Sequence, residues 1–110
     1  MSTPTPVLLL STCPDPDSAR TLAHALVSQH LAACVTQIPN IASTFHWQGK
    51  VCEELETKLL IKSTTDRVEA IKQHIRLHHP YEVPELLVVP ITDGLPDYLA
   101  WLVAQTRKED

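Results

Sequence analysis

Glycine is almost missing from this chain. Only Gly49 and Gly94 occur in 110 residues, and two isolated glycines cannot build the backbone cradle of a phosphate-binding loop. The GxSxG, HExxH and P-loop patterns are missing as well, so the sequence points away from an enzyme. Basic charge is short. Nine Lys+Arg against thirteen Asp+Glu leave a formal charge of −4, which argues against partnership with nucleic acid or an anionic membrane. Uninterrupted apolar runs last only a few residues, far below the roughly 20 that a membrane span needs. Cysteine is sparse: Cys13, Cys34 and Cys52 make an odd total without CxxC spacing. Such usage suits a reduced, cytoplasmic protein better than a disulfide framework. The start carries no positive n-region, so no secretory signal is expected.

What is present is the balance of a soluble globule, 44% apolar and 20% charged, on a chain long enough to bury one core. The Thr/Pro-rich residues 1–6 read as a disordered leader, and residues 7–108 as a single domain. Val7 to Leu10 is an apolar run suited to a buried strand. Asp15-Pro16 then supplies an N-cap with proline at the first helical position. Ala19, Leu22, Ala23, Leu26, Val27 and His30 recur at helical spacing, predicting a helix from about Pro16 to His30. A second strand runs from Ala33 to Ile38, is interrupted at Pro39-Asn40, and resumes from Ile41 to Trp47. Gln48-Gly49 is a turn signal, and a third strand extends to Ser63. In that strand Leu55, Thr57, Leu59 and Ile61 face one way, with Glu54, Glu56, Lys58 and Lys62 opposite.

Asp66 is placed to cap a second helix, with Glu69 completing a capping box. Val68, Ile71 and Ile75 form its buried stripe, and it must end before Pro80. Leu86 to Ile91 predicts a fourth strand, and Pro96 opens a last helix with Tyr98, Leu99, Leu102 and Val103 on its apolar side. The order β-α-β-β-α-β plus a C-terminal helix is that of an α+β, ferredoxin-like sandwich. One element is too long for it. Thirteen residues from Val51 to Ser63 reach roughly 43 Å, whereas a compact domain of this size spans roughly 34 Å. The hairpin therefore overhangs, and its apolar tip at Phe45, Trp47 and Val51 calls for cover by another subunit.

The most polar stretch is His78-His79-Pro80-Tyr81-Glu82-Val83-Pro84-Glu85, two imidazoles, a phenol and carboxylates stiffened by two prolines. Imidazole is a ready donor for transition metals, and His74 precedes His78 by the four residues that can put two rings on one ion. Glu85 can add an oxygen. The competing reading makes His78 and His79 a helix C-cap, donating to the last carbonyls. His24 and His46 read as solvated, His30 as a semi-buried residue of the first helix, and Cys34 and Cys52 as packing residues. A Cys13–His79 nucleophile pair stays open, without an orienting third group.

Five stretches in order, Leu31-Ala32-Ala33-Cys34-Val35, Trp47-x-Gly49-Lys50, Leu60-Ile61-Lys62, His79-Pro80-Tyr81-x-x-Pro84-Glu85 and Tyr98-Leu99-x-Trp101-Leu102, resemble the CutA family of divalent-cation tolerance proteins. The likeness runs from Val7 to Trp101. It implies a ferredoxin-like homotrimer akin to PII signalling proteins, with hairpins wrapping neighbouring subunits, and a role in the response to metal ions, copper especially. Copper or another divalent transition metal is the cofactor implied, with His78 and His79 as ligands. The resemblance also implies a cysteine ligand at the end of the first strand. Ser11 stands there instead, and Cys13 lies two residues on, displaced by roughly 6–7 Å on the same face. In such a trimer Glu56, Lys62, Tyr81, Glu85, Tyr98 and Trp101 line a cleft between subunits. A PII-like module that binds a small effector or a protein there is the alternative function, by fold-level analogy.

Overall fold

A computed structural model describes residues 4–107. Strand β1 (Pro6–Cys13) is followed by helix α1 (Pro16–Ser28), then by the long strands β2 (Cys34–Trp47) and β3 (Lys50–Thr64). A 3-10 turn (Thr65–Arg67) leads into α2 (Val68–His78), and β4 (Leu87–Pro90) and α3 (Pro96–Gln105) complete the chain. The four strands form one antiparallel sheet in the order β2-β3-β1-β4, the ferredoxin-like arrangement that the element order predicts. β1 takes in Pro6, which pairs with Thr64, so the sheet begins one residue before the expected start at Val7. Thr5 already exchanges hydrogen bonds with Thr65. Residues 1–3 and residue 108 of the sequence-based boundaries lie outside the described residues.

Helices α1 and α2 cover one face of the sheet. Ala19, Leu22 and Leu26 of α1 and Ile71 and Ile75 of α2 pack with Val7, Leu9, Leu59 and Ile61 in a single buried cluster. Alternation along β3 turns Thr64 to the opposite face, where its hydroxyl meets Thr106 at 3.1 Å and α3 buries Leu102. The sheet is thus a middle layer, with α3 behind it.

The sequence signals work through identifiable contacts. Asp15 caps α1, its Oδ1 accepting from the Ser18 N–H at 2.8 Å, and Pro16 fills the first helical position at no cost in hydrogen bonds. α1 stops at Ser28, earlier than the apolar spacing predicts, because His30 turns left-handed at φ 58°. That turn lets the Leu31 and Ala32 N–H groups close back on the Leu26 carbonyl. His30 leaves the helical stripe, and its Nδ1 lies 2.9 Å from the Gln105 carbonyl. Gln48 and Gly49 both have positive φ, 50° and 79°, the signature of a type I′ hairpin turn. At Pro39-Asn40 the register slips between Ile38↔Lys58 and Ile41↔Glu56, a bulge in which Asn40 takes φ 60°.

Asp66 does not cap α2. Its Oδ1 accepts from the Thr64 hydroxyl at 2.7 Å and from Arg107 at 2.9 Å, while Glu69 pairs with Lys72 at 2.9 Å. A guanidinium is a stronger partner than a backbone N–H, and it draws the carboxylate away from the helix end.

β1 pairs with β3 only as far as Cys13↔Thr57. Beyond that point β3 has β2 alone, so the hairpin is a two-stranded arm. It stretches the molecule to 45 × 28 × 25 Å and raises the radius of gyration to 14.7 Å, above the ~13 Å of a compact chain of this length. Leu55 points the same way as Leu59, yet it is 66% exposed because no helix reaches it; Val51 is 70% and Trp47 42% exposed.

The Asp66–Arg107 contact has a pH signature. Hydrogen bonds from Arg107 hold the Asp66 carboxyl below its ordinary range. A depressed folded-state pKa adds stability above the unfolded value and loses it as pH falls through the folded one. Asp66→Asn should therefore lower stability at pH 7 by ~0.2–1 kcal/mol, the scale of a solvent-screened pair. In urea melts the gap from wild type should close as pH falls below the usual carboxylate range.

Candidate functional site

The elbow after α2 is set by Pro80, which excludes helical geometry at the residue before it. His79 accordingly turns extended at φ −75°, ψ 138°, after its N–H has made the last helical bond to the Ile75 carbonyl. The turn throws consecutive imidazoles into different surroundings. His79 is buried under the end of β1, its Nδ1 accepting from the Tyr81 N–H at 3.0 Å and its Nε2 lying 2.7 Å from the Thr12 carbonyl. Since Nδ1 must accept, the proton sits on Nε2 and the ring is neutral. His78 instead lies exposed beside His74 one turn earlier, with ring centroids 4.4 Å apart and planes tilted by 41°. Burial, then the neighbouring His78, pushes the His74 imidazole below its ordinary pKa, which favours the unprotonated, ligand form. His79 is the C-cap of α2 through its backbone N–H, but among the described residues neither the His78 nor the His79 ring donates to the last carbonyls of the helix.

Ser11 and Cys13 are both fully buried at the end of β1. The Ser11 hydroxyl donates to the Glu85 carbonyl at 2.8 Å, and the Cys13 Sγ lies 3.7 Å from His79 Nε2. The sequence leaves a Cys13–His79 pair open, and the contact exists. It is not an activated one: burial pushes the thiol up to about 11, and the imidazole proton points at a carbonyl. Across the sheet from Cys13, the Thr57 hydroxyl is buried and finds no hydrogen-bond partner among the described residues. The Glu85 carboxylate reaches away to Lys58 at 2.7 Å. The structure thus gathers Ser11, Cys13, His79 and the Glu85 backbone at the end of β1, in two separate hydrogen-bonded groups, and leaves His78 outside both. Among the described residues no three His, Cys, Asp or Glu side chains converge as a metal-binding group.

The remaining candidates fall into two groups. Tyr81 donates its hydroxyl to the buried Glu56 at 2.7 Å, and burial, then that carboxylate, raises the phenol pKa. Lys62 donates to the Thr36 hydroxyl and lies 3.7 Å from the Cys34 Sγ. Tyr98 and Trp101, centroids 5.5 Å apart on α3, sit near this second group; the Tyr98 phenol is raised by burial and by Cys34. Cys34, expected only to pack, thus touches functional candidates, as its pairing opposite Lys62 requires. Sequence reasoning also missed Lys58 and Thr12. The charge alternation of β3 could have flagged Lys58, whereas a backbone carbonyl such as that of Thr12 leaves no sequence signal.

His79 is a brace in this arrangement, and removing it is measurable. His79→Ala strands the buried Thr12 carbonyl, at about 1–3 kcal/mol, and the part-buried Tyr81 N–H, at the low end of that range. Denaturant unfolding should show a loss of about 2–4 kcal/mol; a loss no larger than that of a surface alanine would refute the bracing role.

Comparison with known proteins agrees with this architecture. The family model described as CutA1 divalent ion tolerance protein matches residues 7–105. The divalent-cation tolerance protein CutA of Yersinia pestis (strain Pestoides F) is 48% identical over 98 residues, 89% of this chain and 82% of its own. Among solved structures, CutA from Xylella fastidiosa is 42% identical with a TM-score of 0.91, covering 94% of this chain and 99% of that one. The PII-like protein CutA from Nostoc sp. PCC 7120, in its apo form, is 34% identical with a TM-score of 0.85, covering 92% and 97%. By sequence and by fold, the chain belongs to the CutA1 divalent ion tolerance family.

Proposed function

We propose that this chain acts, without catalysing a reaction, in the response to divalent cations, as a cytoplasmic homotrimer that takes up a transition metal at the elbow between α2 and β4. Copper is the preferred ion and Cu(II) its form. The observation that carries the reading is the imidazole-rich elbow itself: His78 and His79 bracket the end of α2, with Ser11, Cys13 and Glu85 packed beneath it. Imidazole suits copper and zinc, whereas calcium and magnesium want oxygen cages. The serine at position 11 makes Cu(II) a better fit than Cu(I), which prefers thiolate. Three free cysteines suit a reducing compartment.

Support for the homotrimer comes from the arm. Phe45, Trp47, Val51 and Leu55 are exposed on a two-stranded extension, and an isolated hairpin is marginal in water. A neighbouring subunit supplies the missing layer. A second reading rests on a different observation, the grouping of Lys62, Tyr98 and Trp101 behind the sheet. A cation beside a pair of tilted aromatic rings is the equipment of a small-effector cleft, and the Nostoc relative is described as PII-like.

Calorimetric titration with Cu(II), Zn(II) and a nucleotide panel separates the two. Saturable metal heat is expected, tighter for copper than for zinc, and fading as pH falls through the imidazole range near ~6.5, because protonated rings cannot bind. Nucleotide heat without metal heat would establish the effector module instead. Light scattering should return three chains per particle, and Trp47→Glu should shift it towards smaller species; a monomeric wild type would overturn the assembly.

A further inference from the structure

The two imidazoles at the elbow are not equivalent as donors. Both ring nitrogens of His79 are committed, one to the Tyr81 N–H and one to the Thr12 carbonyl. A metal could reach either nitrogen only by breaking a hydrogen bond, buried at Nε2 and part-buried at Nδ1, and stranding its partner. His78 and His74 are in the opposite condition. Among the described residues neither ring makes a hydrogen bond, and both line the same cavity of about 480 Å³ between α1 and α2, with Ser18, Thr21 and Gln29 on its far wall.

We infer that the divalent metal is held by His74 and His78, from successive turns of α2, and that His79 holds the elbow without ligating it. This assignment rests on the metal-uptake reading above and changes its ligands. Helical spacing of four residues puts the two side chains one above the other. Two imidazoles bound to one ion at ~2.0–2.1 Å, with a ligand angle near 90–109°, have centroids roughly 4.5–5 Å apart. The observed separation of 4.4 Å lies next to that range. The cavity in front of them leaves room for the waters that complete a two-imidazole site. Such a donor set takes Cu(II) or Zn(II) and discriminates against Mg(II) and Ca(II).

The test uses the 110-residue chain and Cu(II) alone, read by calorimetry and by electron paramagnetic resonance, whose nitrogen hyperfine pattern counts bound imidazoles. Wild type should show two nitrogens per copper. His74→Ala should reduce the count to one and weaken binding by at least about 10–100-fold, the loss already typical of outer-shell partners. His79→Gln, which keeps a polar group in the buried position, should still show two nitrogens. Two nitrogens retained in His74→Ala, with one lost in His79→Gln, would overturn the assignment while leaving metal uptake at the elbow intact. Absence of any copper signal from wild type would overturn both. Should either variant fail to fold, as judged by circular dichroism, His74→Gln serves in place of His74→Ala. For the His79 arm, chemical shifts of the His74 and His78 rings against those of His79 during Zn(II) titration of wild type give the same answer.

Discussion

The pairing of β1 with β3 is the constraint to which the rest of the structure is referred. It runs in register from Pro6↔Thr64 to Cys13↔Thr57, and each end has a consequence. At the first end, Thr5 and Thr65 tie the strand termini together, and Thr64 receives Thr106 and Arg107 from the segment ending α3. At the other end β1 stops, α1 begins two residues later at its Asp15 cap, and the Thr12 carbonyl is left free to accept from His79. The same stop frees the outer half of β3 to become the arm. A single register thus fixes where the layers close, where the elbow docks and where the overhang starts.

The elbow shows how a proline translates sequence into chemistry. Two adjacent histidines on a continuing helix would lie about 100° apart on one cylinder. Pro80 stops the helix between them, so one ring stays with α2 and its neighbour goes under β1. Burial then divides the roles further. The thiol of Cys13 stays protonated well above neutrality, and the His79 ring is fixed as a single neutral tautomer. The outer side of α2 keeps His74 and His78, whose rings make no hydrogen bond among the described residues.

Much of the fold was legible because local signals agreed with the hydrophobic pattern. The Asp15-Pro16 cap, the Gln48-Gly49 turn, the interruption at Pro39-Asn40 and the excess length of the third strand each appear in the structure as read. The failures share a cause. Asp66 looks like a cap until Arg107, 41 residues away, claims it. His30 sits at helical spacing, but a left-handed turn removes it from the helix. In every case a distant partner or a backbone reversal, invisible in a local window, decided the outcome. The site followed the same rule: residue types at the elbow were readable, and the commitment of each ring nitrogen was not, because it depends on a carbonyl supplied by another strand.

The two outer strands of the sheet share a feature with a different consequence. β2 and β4 are its edges, and each contains a proline, Pro39 and Pro90. Proline lacks the donor that a stray strand would need, and the bulge at Asn40 kinks the longer edge at that same place. An edge strand of 14 residues is otherwise an open template for uncontrolled stacking of one molecule on the next. Interrupted near its middle, it offers a foreign strand only short stretches of unbroken ladder. The chain can therefore display a long, apolar, two-stranded arm for chosen contacts while its margins resist amyloid-like growth.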